Sequence, residues 1–391
     1  MRITARLIIV ALIVAVIYPA TGYGFLLGEP TDGVKFTKGE SDLKVRIRLQ
    51  PRLDFGEIVK NAAGSAYSTE MDLYLRRVRL EMSGHLVKGL KYNLTFDADK
   101  WSKTGHADSV NLYYAYLSYS FSPLFNLEFG KHKLPYSRVS LTSSSKQLII
   151  ERPASTEKAK KLFGPSHAFY QPFFKAYGKL YDGVVSYAVG FGDGWQSGDT
   201  LYTSTTRTVE TAGTLFAGRV ELSPRGWIEK KKMDSHLGKG RHFALGLHYA
   251  QQHSIEYKEN AYSEDRTLKG FDISAHKENI TVQFEYNTWE IDSNDPAIGT
   301  KEPEGWYVQA GYYIPGYDVE PAIRYEEYDQ DSNSSDKKEK ITTVGANWYL
   351  MGHSMKLSFN WVHTEFDKKA SGWLTDDDST DVFQFQGQLY Y

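Results

Sequence analysis

The chain predicts an all-β fold: a 16-stranded antiparallel transmembrane β-barrel with an inward-folded constriction loop after strand 5. Three observations carry this expectation. Segments of strict apolar–polar alternation recur from residue 44 to the final Tyr391, the pattern of strands with one face in grease and one in water. The links joining them alternate between tight turns and long polar stretches, as the two ends of an outer-membrane barrel do. One link, residues 130–168, is the longest and strongly basic, and loops of that length are usually functional or disordered.

The first 24 residues stand apart from this pattern. Arg2 and Arg6 flank the start of an apolar run, Leu7 to Ile17, and Ala20-Thr21-Gly22 then offers small residues at a cleavage point. Residues 1–24 therefore read as an export signal and 25–391 as one barrel domain. A membrane-spanning helix needs about 20 apolar residues, more than this run supplies. The chain holds no cysteine, which excludes a disulfide framework and thiolate metal sites. Aromatics make up 14% of it, with 28 tyrosines, an excess that suits two girdles at the level of the lipid headgroups.

In the first strand Val45, Ile47, Leu49, Leu53 and Phe55 form an apolar face, and Lys44, Arg46, Arg48, Gln50, Arg52 and Asp54 a polar one. In the second, Val78, Leu80, Met82 and Leu86 alternate with Arg77, Arg79, Glu81, Ser83 and His85. Leu90, Tyr92, Leu94 and Phe96 mark the third, Ala115 to Phe121 the fourth, and Phe125, Leu127 and Phe129 the fifth. Later strands fall near 169–180, 184–192, 215–222, 242–251, 267–276, 280–290, 305–314, 317–327, 341–350, 355–364 and 382–391. The last alternates Phe383, Phe385, Leu389 and Tyr391 with Gln384, Gln386, Gln388 and Tyr390. Such a strand closes the barrel against the first and removes both edges.

Links after even-numbered strands are short, at 87–89, 122–124, 181–183, 277–279, 315–318 and 351–354. Links after odd-numbered strands are long and polar. A soluble sandwich has no reason to keep that parity, and the chain is placed in the outer membrane of a Gram-negative bacterium. The exception is 223–241, a long link with Arg225, Lys230, Lys231 and Lys232 where a short turn is expected.

No catalytic equipment stands out. There is no HExxH and no GxSxG elbow, and Asp97, Asp99, His106 and Asp108 read as a solvated rim. Asp329 to Asn333 begins like a calcium loop, but Ser334 replaces the glycine and Lys340 the closing Glu. No enzyme activity, no cofactor, no metal site and no nucleic-acid partner are expected.

The basic residues are the candidates. If the apolar face of the first strand meets lipid, then Lys44, Arg46, Arg48 and Arg52 must face the lumen, because charge on the lipid face costs several kcal/mol near the midplane. Arg77, Arg79 and Lys91 extend the stripe. Residues 130–167 add eight cations, Lys131, Lys133, Arg138, Lys146, Arg152, Lys158, Lys160 and Lys161, against Glu151 and Glu157, in a chain of formal net charge −2. Folded inward, this link would bring Lys131, Lys133, Arg138 and Arg152 to the basic wall and bury Leu148, Ile149 and Ile150. Cations lining a bore raise the local concentration of anions. The alternative is that Glu81, Asp97, Glu128 and Glu285 neutralise them and the charges only keep the interior wet.

The chain resembles the phosphate-selective porins O and P. The likeness runs through Leu75-Arg76-Arg77-Val78-Arg79-Leu80 with Ser83-Gly84, Phe129-Gly130-Lys131 leading to Leu134-Pro135-Tyr136-Ser137, and Leu141-Thr142-Ser143-Ser144 with Glu151-Arg152. It continues in Asp182 to Gly190, Val319 to Tyr325 and Asn347-Trp348-Tyr349-Leu350. The resemblance implies a trimeric 16-stranded porin with an arginine-lined path, and it points to Arg77, Arg79, Lys131, Lys133 and Arg138. The function expected is passive, anion-preferring diffusion of small solutes such as phosphate, with small anionic solutes, outer-membrane lipid and lipopolysaccharide as partners. The alternative is a barrel scaffold for a periplasmic partner such as an electron-carrying protein, docked on the basic link at 225–241.

Overall fold

Alternation in the first strand sets the register of the whole wall. Arg48, Gln50, Arg52 and Asp54 are at most 6% exposed, while Ile47 and Phe55 on the other face are 52% and 45% exposed. A chain whose polar side chains are buried and whose apolar ones are bare is sorted for lipid outside and polar contacts inside. The computed structural model describes residues 33–59, 67–164, 170–202, 206–259, 262–296, 298–335, 337–367 and 379–391. The expected export signal, residues 1–24, lies outside the described residues.

Sixteen strands make the wall. They are β1 (Ser41–Val59), β2 (Tyr67–Val87), β3 (Leu90–Trp101), β4 (Asn111–Ser122), β5 (Phe125–Lys133), β6 (Tyr170–Leu180), β7 (Val185–Gly192) and β8 (Leu215–Leu222). The second half comprises β9 (Arg241–Tyr257), β10 (Ser263–Lys277), β11 (Ile280–Ser293), β12 (Glu304–Tyr312), β13 (Val319–Asp329), β14 (Lys338–Met351), β15 (Met355–Phe366) and β16 (Ser379–Tyr390). Each pairs antiparallel with its sequence neighbours, and β16 pairs antiparallel with β1. Closure is completed by Ile47, whose N–H donates to the Tyr391 carbonyl at 2.7 Å, and by the Tyr391 N–H, which returns to Ile47 at 3.0 Å. No strand of the wall is left with an open edge, so its backbone groups are satisfied within the sheet.

Several strands outrun their expected bounds. β1, β2, β9 and β10 extend past the apolar stretch that marks them in the sequence, because pairing continues beyond the lipid where alternation need not. Three shorter strands join the sheet beyond these sixteen, Thr206–Thr211 among them by pairing with β9. Val34–Lys38 folds back on the start of β1, taking the place beside Ser41 to Val45 that β16 leaves vacant when the chain ends. Thr200–Tyr202 and Thr206–Thr211 form a hairpin in the link between β7 and β8, packed through Trp195, Val209, Ile255 and Tyr257.

Two devices bend the wall where the sequence looks irregular. Pro51 lacks an N–H for the ladder, and opposite it the pairing skips from Leu75 to Arg77. Arg76 is the extra residue of a β-bulge, so two consecutive arginines, Arg76 and Arg77, are both buried. Gly130 sits at φ 124 with the Ala115 carbonyl 2.3 Å from where a Cβ would be, a position open to glycine alone.

Candidate functional site

After β5 the chain leaves the sheet and does not rejoin it until β6. Residues 134–164 hold two short helices, α1 (Arg138–Leu141) and α2 (Ala154–Ala159). Ser137 caps α1, its hydroxyl accepting from the Ser140 N–H at 3.2 Å, and Pro153 precedes α2. Leu134, Tyr136, Val139, Leu148, Ile149 and Ile150 are all at most 4% exposed.

The segment's partners come from around the wall. Arg48 on β1 donates to the Ser144 hydroxyl at 2.9 Å, and Gln388 on β16 to the Ser145 carbonyl at 3.1 Å. Lys356 on β15 donates to the Gln147 carbonyl at 3.0 Å, Asn347 on β14 to the Leu148 carbonyl at 2.7 Å, and Arg324 on β13 to the Glu151 carbonyl at 2.8 Å. Farther round, Ser137 donates to both oxygens of Glu285 on β11 at 2.7 and 2.8 Å. Arg266 on β10 donates to the Leu162 carbonyl at 2.7 Å, and that same carbonyl accepts from the Trp195 indole at 2.8 Å. These contacts satisfy backbone groups that no sheet or long helix serves.

The arginines of β1 and β2 face this segment, and most of them meet acids. Arg46 and Arg48 lie 3.2 and 2.8 Å from Glu81, with the Arg48 guanidinium 4.4 Å over the Tyr390 ring. Arg52 pairs with Asp54 at 2.6 Å and with Glu151. Arg79 pairs with Asp97 at 2.8 Å and sits 3.9 Å over the Tyr113 ring. Arg77 reaches Gln50 at 3.1 Å and Glu151 only at 3.7 Å. Arg138 makes a fork with Glu229 at 2.5 and 2.9 Å. Arg152 ends on the Val139 and Thr142 carbonyls at 3.1 and 3.2 Å, with Glu157 at 3.6 Å.

Lys133 differs from the arginines. Its ammonium donates to the carbonyls of Ser140, Leu141 and Thr142 at 2.6, 3.1 and 3.3 Å, and no carboxylate lies within ion-pair distance of it among the described residues. Lys91 is exposed and lines a cavity of ≈ 610 Å³ at the tight-turn end, together with Arg46, Glu128 and Lys231. Lys131 pairs with Ala115 two residues along from the pair Phe129–Leu117, so it shares the outward face of the 65% exposed Phe129. The structure thus gathers nine of the ten expected cations on the polar side and sets Lys131 apart.

Of the acids expected to neutralise them, Glu81 and Asp97 hold arginines, and Glu128 holds Lys175 at 2.6 Å. Glu285 meets Ser137, Thr156 and Asn287. Arg76 and Glu151 carry the centre of the network, a role that sequence pattern does not assign them. Arg76 is bonded to Asp99 and doubly to Glu151, at 2.5 and 3.0 Å. Strict alternation puts Arg76 outside, and only the proline opposite signals the bulge that turns it in. Burial alone would raise the Glu151 carboxyl, but the guanidiniums of Arg76, Arg52 and Arg77 hold it well below the ordinary range. Lys146 is lowered, first by burial and then by Lys231, Arg48 and Arg46.

A family model, phosphate-selective porin O and P, matches residues 45–391 of the chain. The chain belongs to this porin family. An uncharacterized protein of Aquifex aeolicus (strain VF5) is 36% identical over 385 residues, covering 91% of this chain and 89% of its own. Among solved structures, the anion-selective porin from Comamonas acidovorans superposes with a TM-score of 0.65 at 16% identity, over 90% of this chain and 100% of that one. The trimer form of OmpT, an outer membrane protein of Vibrio cholerae, gives 0.57 at 9% identity, over 90% and 100%. At such identities the likeness concerns the fold. This porin is an outer-membrane β-barrel, and its family and fold are those of channels.

Proposed function

We propose that this porin passes small anionic solutes, phosphate among them, by passive diffusion through a basic bore narrowed by residues 134–164. The observation that carries the reading is where certain cations end. Lys133 is held by three main-chain carbonyls and Lys356 by one, and neither has a carboxylate in ion-pair range among the described residues. A cation held by carbonyls has no acid beside it to cancel its charge, whereas Arg48, Arg52 and Arg79 are largely cancelled by their acids. Excess positive charge in a narrow, low-dielectric passage concentrates anions and speeds their entry.

Arg77 and Arg152, with their distant acids, add to that excess, Arg48, Arg52, Arg79 and Arg138 place the segment, and Arg46 stays with Glu81. Lys91 belongs to the inner vestibule. The bare apolar belt of Ile47, Leu117, Phe129 and Val189 suits lipid and the faces of a homotrimer, and the trimeric neighbour supports that state. Proteoliposome swelling in anionic, neutral and cationic solutes of matched size tests the reading. The anion should enter fastest, and Lys133→Gln should narrow the difference. Fastest entry of the cation contradicts the basic bore. No swelling from folded protein shifts the assignment to a scaffold.

A further inference from the structure

The link between β8 and β9, residues 223–240, is long where every other described link at its end of the barrel is a tight turn. Its contacts explain the length. From its anchors at Ser223, whose N–H donates to the Val184 carbonyl at 2.8 Å, and at Trp227, whose carbonyl accepts from Phe243 at 3.0 Å, it runs to the polar faces of distant strands. Asp234 accepts from Gln283 on β11 at 3.2 Å, and the Ser235 carbonyl meets His353, in the turn before β15, at 3.1 Å. Both Asp234 and Ser235 are at most 1% exposed.

This link also grips residues 134–164. The N–H groups of Asp234 and Ser235 donate to the Lys146 carbonyl at 3.1 and 3.4 Å. Arg138 holds Glu229 in its fork and donates to the Met233 carbonyl at 3.0 Å. Meanwhile Arg225, Lys230, Lys231 and Lys239 are exposed. Acids turned in to a partner segment and bases turned out to water are the mark of a docked element.

The seat is built of imidazoles. His236 stacks on His276 of β10 with ring centroids 4.0 Å apart and on His242 of β9 at 6.0 Å. Its Nε2 lies 3.5 Å from Glu229, and its Nδ1 has no hydrogen-bond partner among the described residues. The charged groups around it are Glu229 and Lys232 of the link, Arg138 of the first segment, Glu221 of β8, Glu320 of β13 and His353. One carboxylate already shared with Arg138 faces three stacked rings. Charging two rings at 4.0 Å in a desolvated site repels them strongly.

We infer that residues 223–240 form a second, inner constriction, seated on the first and released when the imidazole stack is protonated. The inference rests on the porin reading, and it adds a gate at the periplasmic end. Single-channel conductance tests it, with the tight-turn side taken from about pH 7.5 to about pH 4, a range that runs below ordinary imidazole titration because burial disfavours the charged ring. Conductance should rise severalfold and reversibly on acidification. A variant with 223–240 replaced by a three-residue turn should conduct at the higher level at both pH values. His236→Asn should stay at the lower level at both.

A parent whose conductance ignores pH overturns the inference. So does a shortened variant that conducts like the parent at about pH 7.5 while keeping folded electrophoretic mobility, or a His236→Asn variant that still responds. Selectivity is read separately from the zero-current potential, so a failure of the anion reading leaves this test intact.

Discussion

Glu151 shows how much one side chain is asked to do. It lies between Arg52, Arg76 and Arg77, and its side chain is 26% exposed. Replacing it with Gln strands buried guanidiniums, at a cost near the lower end of the range for a broken buried pair, about 3 kcal/mol. Urea unfolding in detergent micelles should report that loss, and the zero-current potential should move further in the anionic direction. Gly130 gives a second prediction at this scale. At φ 124 with a carbonyl 2.3 Å from the Cβ position, Gly130→Ala should destabilise the barrel by about 1–3 kcal/mol, seen as a lower temperature of heat-induced mobility shift. The basic face of β1 is legible in the sequence because the period of a strand is fixed. Arg76 and the outward Lys131 are not legible, because a bulge or a strand end breaks that period without changing composition.

Elements are more legible in the chain than their contacts. The parity of tight and long links identifies the barrel from sequence pattern alone, and all sixteen strands fall where alternation places them. What each long link does is hidden, since nothing in local pattern says which distant carbonyls Lys356 or Asn347 will meet. The segment 134–164 and the inner link 223–240 should separate by pH. Glu151 is held below its ordinary pKa, so its contribution to docking is present above the unfolded carboxylate value near about 4.3 and lost only as pH falls through the depressed one. Between about pH 7.5 and about pH 4 the first segment should therefore stay seated while the imidazole-seated link releases. Hydrogen exchange of Leu148 to Glu151 against Asp234 and Ser235 across that range checks the order. Simultaneous loss of protection in both segments contradicts it.

For the whole molecule, the fold follows from one inversion: polar side chains inside, apolar ones out, and a sheet with no edges. Net charge is a poor guide to what passes, because the chain sums to −2 while its bore collects arginines and lysines. On the function proposed, selectivity instead depends on which of those cations keep an acid and which end on carbonyls. The zero-current potential of the folded porin in a planar bilayer under a salt gradient tests this most directly. The potential should be of anionic sign and should fall when Lys133 and Lys356 are both replaced by Gln. A cationic or unselective potential, or an anionic one indifferent to those two lysines, would contradict it.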